Sequence, residues 1–148
     1  VAGPLTLYDR KQAARAALAA MLPSNTALSD ALLNNALLRV DRSLATWRWN
    51  GENALKTAHG HRVFEFERQA IKFLGNPWVD TNAPVEDVID ELLAIDRALA
   101  ADAVGSSSDA GDIERGNRRL AAGDAHLTAG RYTKAIYAYW RAWRAVML

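Results

Sequence analysis

The sequence predicts an all-α domain, an irregular six-helix bundle that ends in a helical hairpin. Alanine and leucine dominate, β-branched residues are sparse, and apolar residues recur three and four apart. With 148 residues, half of them apolar, the chain can bury one substantial core, so a single domain is expected over 8–148 after a short linker at 1–7.

The first helix is expected over 9–21, with Ala13, Ala17, Leu18 and Met21 inward and Pro23 closing it. A second starts near Ser29 as N-cap and presents Leu33, Leu37, Val40 and Leu44 along one stripe. Asn50-Gly51 is a turn signal, and His59-Gly60-His61 is a poor helix interior, so an ordered loop is expected between helices two and three. RVFEFERQAIKFL resumes helical spacing through Val63, Phe66, Ala70 and Phe73 until Gly75 and Pro77. Alternation in VFEFE is the competing strand reading. Pro84, followed by Glu86 and Asp87 in the first turn, opens a fourth helix that runs to about Val104. GSSSDAG ends it, and helices over 112–128 and 131–147 form a hairpin joined at Ala129-Gly130.

Composition narrows the chemistry. The absence of cysteine excludes disulfides, thiol nucleophiles and Cys-type metal sites, and no cofactor is expected. No apolar run reaches the roughly 18–20 residues of a membrane helix, and the first residues lack the order of a secretory signal. A start at Val1 leads us to expect a piece cut from something longer. The net charge of +1 argues against a dedicated nucleic-acid binder, yet charge is segregated. Residues 80–114 hold ten acids and one base, whereas 115–148 hold seven bases and one acid. We read this as acidic and basic helices lying side by side; the sharper reading is a basic face for an anionic partner.

GDAHLTAGRYTKAIYAYWRA resembles one tetratricopeptide repeat, with Gly123, Gly130, Tyr132, Ala135, Tyr139 and Ala142 at the small and aromatic positions of that motif. Arg119 and Ala122 depart from it, and a single copy implies a hairpin over 110–148 docked on other helices rather than a peptide-binding solenoid. More widely, the order LLRVDRSLATWRWNG, GHRVFEFERQAIKFL, VIDELLAIDRALA and AAGDAHLTAGRYTKAIYAYWRAW is similar to a helical module found toward the C-terminal end of large secreted, multidomain bacterial and archaeal proteins. That resemblance implies an extracellular, appended context and no transferable activity.

Several constellations are candidates for chemistry. His59 and His61, near Glu65 and Glu67, are the candidate metal ligands, although the spacing lacks an HExxH pattern and His126 is remote. A helix-start or surface role is the reading we adopt. Asp80, Glu86, Asp87, Asp90 and Glu91 supply carboxylates for glycoside hydrolysis on paper, but acids at a helix start have an ordinary dipole explanation. Trp47, Trp49 and Trp78 are candidate platforms for sugar rings or a partner surface, whereas Trp140 and Trp143 fall on a core stripe. LLRVDRSLA at 37–45 is echoed by LLAIDRALA at 92–100. Asp41 and Asp96 thus take the same place beside an apolar stripe, and we expect two helices that pack together around polar anchors.

The functional expectation is a non-catalytic accessory or interaction module of a larger secreted protein. Its partners would be other domains of the parent chain, a protein or a glycan, with no nucleic acid and no membrane insertion. A carbohydrate-binding module and a metal-dependent hydrolase are the alternatives.

Overall fold

Side-chain caps set where three of the six helices among the described residues begin. The Thr6 hydroxyl accepts from the Asp9 N–H at the start of α1 (Leu7–Ala19), Thr26 does the same for Ser29 at the start of α2 (Ala27–Ser43), and Asp109 for Asp112 at the start of α5 (Ala110–Thr128). The cap of α2 therefore lies three residues before the expected Ser29. The buried Ser29 hydroxyl instead accepts from the Asp80 N–H at 2.8 Å and ties α2 to the segment before α4. The helices α3 (Gly60–Leu74), α4 (Val85–Gly105) and α6 (Tyr132–Met147) complete an all-helical bundle. The molecule is described here by a computed structural model covering residues 4–148. Residues 1–3 of the expected linker lie outside the described residues; Leu7, its last residue, is helical and buried.

The VFEFE segment is helical throughout, so the strand alternative is set aside. The connection from α2 to α3 holds a 3-10 turn at Thr46–Arg48 and a tight reversal at Gly51, whose φ of 73° suits glycine. An isolated antiparallel bridge pairs Trp49 with Leu55 across that reversal. His59-Gly60-His61 stands at the start of α3, with His59 in the N-cap position, as the helix-start reading expects. A Cβ on Gly60 would lie 2.3 Å from the Trp143 ring, so glycine is present to let α3 begin against α6.

The most extensive packing is between α5 and α6, then α2 with α3 and α4 with α6, while α1 sits on α4 and α2. The expected packing of α2 on α4 is not realised. Both helices flank α1 and α3, and the echoed segments serve different interfaces. At the hairpin, a Cβ on Gly123 would come within 2.4 Å of the Tyr139 ring. Gly123→Ala should therefore lower stability by about 1–3 kcal/mol through overpacking, read as a shifted denaturation midpoint at unchanged slope. Among the described residues, no helix is long and apolar enough to cross a membrane.

Candidate functional site

The most unusual chemistry lies in the interior. Lys11 on α1, Glu67 on α3 and Asp96 on α4 are all 0% exposed. The Lys11 ammonium is 3.0 Å from Glu67 Oε1 and 3.7 Å from Asp96 Oδ1. The Ser43 hydroxyl, at the end of α2, lies 2.7 Å from both Glu67 Oε1 and the Val40 carbonyl and has one proton to give. Trp49 covers the cluster. Its indole N–H donates to the Ser43 carbonyl at 2.8 Å, and the Lys11 ammonium stands 5.2 Å from its ring centroid. Four helices thus contribute to one buried cluster, three of them through the ion pairs and α2 through Ser43.

The charges do not balance. One ammonium faces two carboxylates, and among the described residues neither oxygen of Asp96 has a hydrogen-bond partner. Burial, reinforced by the neighbouring Glu67 and opposed by Lys11, pushes the Asp96 carboxyl well above its ordinary range. A protonated Asp96 would leave the cluster electrically neutral. All three side chains are sealed from solvent, so the cluster can fix helix positions but cannot meet a substrate in this conformation.

Asp41, expected to match Asp96, sits on the surface. It pairs with Arg15 across α1 and α2 at 2.8 Å and is no interior anchor. The two aspartates diverge because Asp96 faces α1 and α3, where Lys11 and Glu67 wait, whereas the Asp41 position lies at the outer edge of α2. A partly exposed network ties the other side of the molecule. Arg97 reaches Asp124 of α5 through two bonds of 2.8 and 2.9 Å, and the Tyr139 hydroxyl of α6 donates to Asp124 at 2.6 Å. The bond from Arg97 holds the Asp124 carboxyl below the usual carboxylate range, while burial raises the Tyr139 hydroxyl.

The candidate tryptophans separate. Trp47 and Trp78 are 53% and 68% exposed, but Trp49 is buried over the ionic cluster and cannot stack on a ligand as the sequence reading allowed. Trp47 is already occupied, with the Arg48 guanidinium 4.1 Å from its ring centroid and His59 edge-on at 4.8 Å. His61 turns instead to Trp140, with 5.4 Å between ring centroids, so the two histidines serve different aromatic contacts. Among the described residues, no group of three or more His, Asp or Glu side chains converges at metal-binding distance. The acids Glu86, Asp87 and Asp90 at the start of α4 are exposed.

Sequence reasoning missed the groove between α3 and α6. His61, Phe64, Glu65, Arg68, Ile136, Tyr137 and Trp140 line it, and it encloses about 200 Å³. Tyr137 is 51% exposed, and its ring lies 5.4 Å from that of Trp140. Arg68 and Glu65 pair across one helical turn at the rim, and the bond from Arg68 holds the Glu65 carboxyl low. The signal was present. Tyr137 stands off the Ile136–Tyr139–Trp143 core stripe, as His61, Glu65 and Arg68 stand off the core stripe of α3. Comparison with protein-family models, with curated proteins and with solved structures finds no match for the chain.

Proposed function

We propose that the chain is a non-catalytic interaction module of a larger secreted protein and that the α3–α6 groove is where it meets another domain of that protein. The groove carries the reading. It exposes an aromatic ring beside a half-buried indole and rims them with a fixed Arg68–Glu65 pair, an arrangement suited to recognition at an interface. The strongest acid–base constellation, by contrast, is enclosed in the core. The hairpin of α5 and α6, which resembles a tetratricopeptide repeat, supplies one wall of the groove.

Mixing this domain with the remainder of its parent chain should give a complex measurable by calorimetry. Tyr137→Ala should weaken that complex about tenfold or more, as expected for an aromatic interface anchor, with the melting temperature of the free domain unchanged. Unaltered affinity in this variant would sink the groove as the contact. A second reading, glycan binding, rests on the exposed Trp78 ring, and a glycan array with wild type and Trp78→Ala would test it.

A further inference from the structure

The basic C-terminal third does not neutralise the acidic stretch before it. Among the described residues, Arg118, Arg119, Lys134, Arg141 and Arg144 form no ion pair within 4.0 Å; Arg115 does so only with Asp112, one turn away. Three of the eight arginines that precede this third do find a carboxylate on another helix, Arg10 with Glu91, Arg15 with Asp41 and Arg97 with Asp124. Four of the C-terminal arginines converge. Arg115 and Arg119 from α5, with Arg141 and Arg144 from α6, line a groove of about 620 Å³ whose other residues are Asp112, Ala145 and Leu148. Its side chains therefore bring four guanidiniums and one carboxylate.

We propose that this groove is a docking site for a carboxylate-rich polypeptide segment. The proposal deepens the interaction-module reading by naming the chemistry of a partner. Three physical features favour it. First, every cation in the groove is an arginine, whose planar fork matches a carboxylate through two parallel hydrogen bonds where a lysine offers a point charge. Second, two of the forks rest on rings, with Arg144 over Trp140 at 5.4 Å and Arg141 over Tyr137 at 5.8 Å, which limits the side-chain freedom lost on binding. Third, the groove has the volume of a site for a small ligand or several side chains, too large to enclose one phosphate.

A nucleic acid fits less well. Its affinity comes from a long track of phosphate contacts, whereas this chain has a net charge of only +1 and carries exposed Glu86, Asp87, Asp90 and Asp102 on α4. A short acidic segment needs only the groove.

The test is fluorescence anisotropy with the whole domain and a labelled deca-glutamate peptide, with single-stranded oligothymidylate and inorganic phosphate as competitors. Binding should weaken steeply between 50 and 300 mM NaCl. Arg141→Ala with Arg144→Ala should weaken it at least tenfold while circular dichroism and melting temperature stay near wild type. Arg141→Lys with Arg144→Lys should recover only part of the loss, because charge returns without the fork. Absence of peptide binding, an arginine-to-alanine variant that is folded and binds like wild type, or tighter binding of the oligonucleotide would each overturn the proposal. If the double variant is unfolded, Arg119→Ala alone decides between the same outcomes. A complex with the parent chain that ignores all these substitutions would leave the interaction-module reading standing and remove this site; peptide binding without a parent-chain complex would do the reverse.

Discussion

Replacing Lys11 with alanine is expected to lower the stability of the domain by about 3–5 kcal/mol, the usual consequence of removing one partner from a buried ion pair. Without the ammonium, Glu67 and Asp96 would be left in the core as two carboxyl groups with no cation between them, and the space of the lysine stem would be empty. Urea denaturation at pH 7 should show a lower midpoint, and the melting temperature should fall by roughly 10 °C for a domain of this size. Replacing all three groups at once separates charge from packing. Lys11→Met with Glu67→Leu and Asp96→Leu should restore stability to wild type or above, because apolar groups of similar volume need no compensation in the core. A Lys11→Ala variant as stable as wild type would show that the cluster contributes nothing to holding α1.

The same cluster shows where the sequence is legible and where it is not. Periodicity located all six helices, since each needs only one apolar stripe to be recognised. For α1 it places Leu18 correctly but misses the row that Leu18 belongs to. Its spacing predicts Ala13 and Ala17 inward, but they are exposed, and the buried row is Leu7, Lys11, Ala14 and Leu18 at i, i+4, i+7 and i+11. A lysine is almost never fully buried unless paired, so its own helix gives no reason to place it inside. The reason lies on other helices. Glu67 falls within the α3 row of Phe64, Ile71 and Leu74, and Asp96 within the α4 row of Leu92, Leu93 and Leu99, so two acids on core stripes call for one base on a third. The Asp41–Asp96 echo misled for a related reason. Identical local spacing placed both aspartates beside a stripe, but burial depends on what faces them, and only Asp96 has Lys11 opposite. The arginine groove was legible as a charge excess in the last third of the chain; its location needed the fold, because α5 and α6 contribute two guanidiniums each.

Asp96→Asn should change how stability depends on pH. In the folded chain burial and Glu67 raise the Asp96 carboxyl above its ordinary range, so this group keeps a proton that the unfolded chain releases. The sign follows from linkage. Its favourable contribution is fully present below the unfolded value near 3.8 and is lost progressively as pH rises through the raised folded value. Lys11 lies closer to Glu67 than to Asp96 and neutralises one carboxylate only, so above that range the second negative charge is uncompensated. Asparagine keeps the shape and removes the charge. The variant should match wild type at pH 4 to within about 1 kcal/mol and exceed it at pH 8 by about 1–3 kcal/mol, the scale of an unsatisfied buried polar group. Asp124, held low by Arg97, contributes with the opposite sign and in a more acidic window, losing stability as pH falls. Parallel urea titrations of wild type, Asp96→Asn and Asp124→Asn from pH 3 to 8 separate the two. Equal pH slopes for wild type and Asp96→Asn above pH 4 would mean that Asp96 is ionised throughout and that Lys11 serves both carboxylates.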